Sequence, residues 1–66
     1  MSELSRQFYA YMNRIPKGEY ATKRNALMAH MGWSYWAYCR RLHGNVYLTK
    51  NTRDRIEQFF NEKIFE

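Results

Sequence analysis

Cysteine is almost missing from these 66 residues, with Cys39 standing alone. One thiol forms no intrachain disulfide and builds no cysteine-based metal site. That fits a reducing, intracellular setting. Proline occurs once, at Pro16, and glycine only at Gly18, Gly32 and Gly44. No apolar run approaches membrane-spanning length. No stretch alternates long enough to read as a strand, apart from two or three residues at 46–48. The opening residues Met1-Ser2-Glu3-Leu4-Ser5-Arg6 have no basic region followed by an apolar run, so they do not read as a secretory signal. The expectation from these absences is a soluble, cytoplasmic chain.

Catalytic patterns are missing as well. There is no nucleophile–base arrangement, no glycine loop for phosphates and no convergent carboxylate pair. His30 and His43 lie 13 residues apart with no cysteine or carboxylate pattern beside them, which points to surface histidines, not metal ligands. Cys39 has no catalytic partner and reads as a plain thiol. No enzyme, metal or cofactor is expected.

What the chain has is aromatic mass and positive charge. Twelve residues are Phe, Tyr or Trp, and large rings compensate for the small core of so short a chain. One domain spanning 1–66 is expected. The net charge is +5. Residues 1–18 place Arg6, Arg14 and Lys17 against Glu3, and residues 19–44 place Lys23, Arg24, Arg40 and Arg41 against Glu19. Residues 45–66 hold four charges of each sign. The surplus therefore lies in the first two thirds, where it favours a polyanion.

Apolar spacing predicts an all-α domain of four helices. The first covers about 3–15, with Leu4, Phe8, Tyr11, Met12 and Ile15 on one stripe and Ser2 as N-cap. Pro16 and Gly18 end it. The second runs from about 20 to 31, with Tyr20, Leu27, Met28 and Met31 sharing a face and Arg24 leaning onto it, its guanidinium snorkelling out. Gly32 suits the left-handed position after that helix. The third runs from Ser34, an N-cap, to about His43. Its wheel puts Tyr35, Tyr38 and Leu42 inward and Trp36, Cys39, Arg40 and His43 outward. The fourth spans about 49–64 with Thr49 as N-cap. Its inner face holds Thr52, Ile56, Phe59, Phe60 and Lys63, with Val46 and Leu48 beneath. Asp54, Glu57, Glu62 and Glu66 are expected to form ordinary surface pairs with basic neighbours.

Two short helices around Gly32, the second closed by Gly44, have the spacing of a helix-turn-helix. The run Leu27-Met28-Ala29-His30-Met31-Gly32-Trp33-Ser34 resembles the lambda-repressor-like helix-turn-helix family, and the likeness covers about residues 20–60. Arg40-Arg41-Leu42-His43-Gly44 is similar to the end of the recognition helix in lac-repressor-type headpieces. The chain departs from the family pattern at Met28, where alanine is usual, at Tyr38, where valine or isoleucine is usual, and at Arg41, a position normally apolar. With Arg41 there, Leu42 is the residue left to fill the pocket.

The resemblance implies a small sequence-specific DNA-binding protein, a transcriptional regulator of a phage or mobile element. Helix 34–43 would enter the major groove of double-stranded DNA. Ser34, Tyr35, Trp36, Cys39, Arg40 and His43 would face base edges, and Arg40 is best suited because its fork matches guanine O6 and N7. Lys17, Lys23, Arg24, Arg41 and Lys50 are the candidates for phosphate contacts. A homodimer is expected, since one reading helix gives limited specificity, with Phe59 and Phe65 as its contact. The competing reading is a protein-interaction module, such as a phage-encoded inhibitor of a host protein, using an aromatic patch of Trp36, Tyr35 and Tyr9.

Overall fold

The computed structural model describes residues 3–65. Among them the chain forms four α-helices and no strand: α1 (Glu3–Asn13), α2 (Lys17–Met31), α3 (Tyr35–Leu42) and α4 (Lys50–Phe60). No described helix is long and apolar enough to cross a membrane. The expected cap Ser2 and the expected surface acid Glu66 fall outside the described residues.

The stripe of α1 closes on the interior as its spacing requires. Phe8 and Met12 are buried, Leu4, Tyr11 and Ile15 pack beside them, and Ser5 is buried on the same stripe. The helix ends at Asn13, two residues earlier than expected. Arg14 and Ile15 donate to Tyr11 and Met12, three residues back, so the last turn tightens before Pro16.

The second helix begins a turn earlier than its apolar pattern indicates. The Pro16 carbonyl accepts from the N–H groups of Glu19 and Tyr20 at 2.8 and 3.0 Å, so the proline opens α2 besides ending α1. Gly18, expected as a breaker, sits inside the first turn of α2. Leu27 is buried, and Tyr20, Met28 and Met31 pack partly buried around it.

Gly32 terminates α2 with φ 72°, and its N–H and that of Trp33 donate to Ala29 and Met28. This pair of bonds satisfies carbonyls that the helix end leaves open. A Cβ at Gly32 would meet no atom within 4 Å, so only the backbone angle resists a side chain. Gly32→Ala should therefore lower stability by about 1–2 kcal/mol, the left-handed penalty alone. A urea melt checks this, and a larger loss would mean a clash that the open surroundings exclude. Gly44 closes α3 in the same way, with φ 84°.

Helix α3 packs on α1, and α4 on α2. The interior is Phe8, Met12, Leu27, Tyr38, Leu42, Leu48, Ile56, Ile64 and Phe65. Leu42 fills the pocket beside Arg41, in the register anticipated for it. Tyr38 is buried with its hydroxyl 2.8 Å from that of Tyr20. Burial first, and that bond second, push its titration upward, so it remains a neutral phenol. Between α4 and α2 the Arg55 guanidinium donates to the His30 carbonyl at 3.1 Å, closing a carbonyl in the last turn of α2.

The largest departure from the sequence reading lies after α4. The helix ends at Phe60, not near Ile64, because Asn61 takes the left-handed conformation at φ 54°. Asparagine tolerates that conformation better than other residues with a Cβ. The segment after it folds back and buries Ile64 and Phe65. Glu57 and Glu62 are consequently more than surface ion-pair partners. Glu57 Oε2 accepts from the backbone N–H groups of Ile64 and Phe65, both at 2.9 Å. The Tyr11 hydroxyl donates to Glu62, and burial together with that bond pushes Tyr11 up to about 12. Lys63, expected on the inner face, is exposed.

Phe65, expected as a dimer contact, is only 5 % exposed and packs 6.4 Å from Phe8. Its ring is occupied within its own chain. Phe59 is partly buried, with His30 at 5.3 Å and Phe60 at 4.9 Å.

Candidate functional site

The outer side of α3 is the most distinctive surface. Ser34 caps the helix by accepting from the Ala37 N–H at 3.2 Å. Tyr38 and Leu42 anchor the inner side. Residues one turn apart then form rows along the remaining surface. Trp36, Arg40 and His43 make one row, Tyr35 and Cys39 a second, and Trp33, Ala37 and Arg41 a third. The helix carries no acidic residue.

Trp36 is 68 % exposed, an unusual position for an indole. Its described ring contact is Arg40, whose guanidinium carbon lies 4.5 Å from the ring centroid. Arg40 pairs with no described carboxylate and makes no described side-chain hydrogen bond. Stacking holds the side chain while its donors stay open. His43 is exposed at the far end of the same row, 5.7 Å from the Tyr9 ring of α1.

Tyr35 departs from the inward placement that its wheel position suggests and is 58 % exposed. The Tyr35 ring lies against the Arg24 guanidinium of α2 at 5.3 Å, and Tyr20 meets that guanidinium at 5.7 Å. Arg24 is thus held between two tyrosines, with two of its nitrogens also donating to Asn25 Oδ1. The hydrogen bond with Cys39 is the main reason the Tyr35 hydroxyl titrates higher than usual. Cys39 itself is half-buried against the interior, so it sits less openly than its outward wheel position implied.

The five candidate phosphate ligands separate into groups. Lys17 and Arg24 are seven residues apart on α2, which puts them on one face about 10 Å apart along the axis. Both therefore belong to the side of α2 that meets Tyr35. Lys23 faces elsewhere. It pairs with Glu19 at 4.0 Å and lines an open cleft of about 430 Å³ with Tyr11, Arg14 and Glu62. Lys50 pairs with Asp54 at 3.1 Å in the first turn of α4. Arg41 folds over the Trp33 ring at 4.9 Å and donates to the Ala37 carbonyl at 3.1 Å. One of its donors is therefore directed at its own helix.

The arrangement offers cations held by aromatic rings beside and on α3: Arg24 of α2 against Tyr35 at its start, and Arg40 against Trp36 in its last turn. Such a surface suits partners that are both anionic and flat-edged. Sequence reasoning did not find the contact of Arg24 with Tyr35, because the two are eleven residues apart and on different helices. Among the described residues no group of three His, Cys, Asp or Glu is placed to hold a metal. No family model, curated protein or solved structure matches the chain.

Proposed function

We propose that this chain is a small sequence-specific DNA-binding protein, a cytoplasmic transcriptional regulator of the phage or mobile-element type. In this reading α3 lies in the major groove of duplex DNA, as the second helix of a lambda-repressor-like helix-turn-helix does. The observation that carries it is the outer row Trp36–Arg40–His43. It combines an open arginine fork with no acidic residue on its helix, and it is braced from behind by Tyr38 and Leu42. Arg24 and Lys17 would meet phosphates beside the groove and set the register without reading bases. A dimer on two half-sites one helical turn apart would supply the specificity that one eight-residue helix lacks. Its two-fold contact would not use Phe65.

Titration of a labelled random-sequence 25-bp duplex pool at several salt concentrations tests the reading. The expected result is binding whose affinity falls steeply with salt. The slope of log K against log[salt] should be about −2 to −4 for each copy, the mark of a few phosphate contacts. Absence of binding at the lowest salt would sink it.

The 68 % exposure of Trp36 and the 58 % exposure of Tyr35 favour a second reading, a protein-binding patch. Tyr9 belongs to the far end of α3, beside His43, so that patch is a strip along the helix rather than a cluster. Arg40→Ala separates the two readings better than Trp36→Ala, because removing the indole also frees Arg40. A duplex reader should lose about 1–3 kcal/mol of affinity and its discrimination with the arginine change.

A further inference from the structure

The guanidinium of Arg40 is planar and offers five N–H donors. Trp36, one turn before it, lies against the guanidinium at 4.5 Å. The donor edge is left without a described partner. Resting on the duplex-reading function, we propose that Trp36 and Arg40 act as one unit reading two neighbouring base pairs: a guanine, and beside it a pyrimidine carrying a C5 methyl.

The choice of guanine follows from acceptor geometry. In the major groove guanine alone presents two adjacent acceptors, O6 and N7, that a two-pronged donor can engage together. Adenine sets a donor beside its N7, cytosine presents a donor, and thymine a single acceptor. When the guanidinium lies in the plane of that guanine, whatever covers its face lies in the layer of the next base pair. The 4.5 Å separation is nearer to one 3.4 Å step between base pairs than to two. The indole therefore reaches the edge of the adjacent base. The apolar group available at that edge is the C5 methyl of thymine, which 5-methylcytosine shares. An exposed indole gains most from such a contact, because it has much apolar surface still in water. The stack also limits the freedom of Arg40 before binding, so less is lost when the fork docks.

The test begins with selection of a site from the random 25-bp pool. That site is then remade with 7-deazaguanine for each guanine in turn, which removes N7. It is also remade with uracil for each thymine, which removes the methyl, and with 5-methylcytosine·guanine in place of the critical thymine·adenine pair. One 7-deazaguanine should weaken binding about tenfold or more. The uracil neighbouring that guanine should weaken it about fourfold, the worth of one buried methyl. Arg40→Ala should abolish the first effect and Trp36→Ala the second. Retention of affinity by the 5-methylcytosine duplex would show that the methyl is what Trp36 reads, and its loss would overturn methyl reading by Trp36. Circular dichroism checks that both variants stay folded, as one exposed and one half-buried position outside the core should allow. A selected site that tolerates every 7-deazaguanine within twofold overturns the unit while leaving DNA binding intact, as does equal response to uracil in the wild type and Trp36→Ala. A pool that yields no bound duplex removes the underlying function instead.

Discussion

Replacing Phe8 with alanine should remove about 3–5 kcal/mol of stability, the usual loss for a buried phenylalanine. Phe8 is fully buried and sits between two elements distant in sequence. Its ring meets Tyr38 of α3 edge to face at 6.1 Å and Phe65 of the returning C-terminal segment at 6.4 Å. Three parts of the chain, α1, α3 and the C-terminal segment, therefore face one cavity when the ring is removed. A chain of this length draws about 3–5 kcal/mol from a single core. The variant should thus be largely unfolded at 25 °C. Urea denaturation followed by circular dichroism measures the change in midpoint. Phe8→Leu, which keeps most of the volume, should cost under about 1.5 kcal/mol. Equal losses for the two variants would mean that volume at this junction does not matter.

Local signals in the chain account for most helix ends, and the exceptions share a cause. Ser34 and Thr49 cap α3 and α4 through their own hydroxyls, and Gly32 and Gly44 take the left-handed angle where the apolar pattern stops. Each of these needs only residues within one turn. Asn61 offered the same kind of signal, but Ile64 continues the spacing of Ile56 and Phe60, so the pattern runs past the true end. What stops α4 there is the chain's return: Ile64 and Phe65 are buried in the shared interior, their amides held by Glu57. That outcome depends on side chains from α1 as much as on α4.

The same division applies to the candidate site. The row Trp36, Arg40 and His43 follows from helical spacing alone, and so does the Trp36–Arg40 stack. The settings of Arg24 against Tyr35 and of His43 against Tyr9 arise between helices and depend on how α2 and α1 lie beside α3. Tyr35 shows the limit of a helical wheel. Its angle points inward, but its ring rests on the Arg24 guanidinium of α2 and stays largely exposed. Arg41 shows another limit, since its outward charge is explained by the Trp33 ring and the Ala37 carbonyl, partners on its own side of the turn.

Glu57→Gln should destabilise the chain by about 1–2 kcal/mol at neutral pH, and the loss should disappear in acid. A single carboxylate oxygen accepts two backbone N–H groups at 2.9 Å, and bonds to an ionised acceptor are stronger than neutral ones. Glutamine keeps a carbonyl in place but removes the charge, and solvent near the partly exposed side chain keeps the effect at the lower end. The Phe65 and Ile64 amides hold the Glu57 carboxyl below its usual range. Lys63 adds to this, while partial burial and Asp54 oppose it. A carboxyl depressed in the folded state binds its proton more readily when the chain unfolds. Its contribution is therefore complete above the unfolded value of about 4.5 and is lost as pH falls through the folded value. Urea midpoints of the two proteins between pH 3 and 7 should lie apart at the neutral end and draw together as pH falls below about 4.5. Hydrogen exchange at Ile64 and Phe65 should quicken in the variant at pH 7 before α2 and α4 respond, because those two amides lose their acceptor's charge directly. Midpoint curves that stay parallel across the whole range would show that the charge of Glu57 does not hold the C-terminal segment.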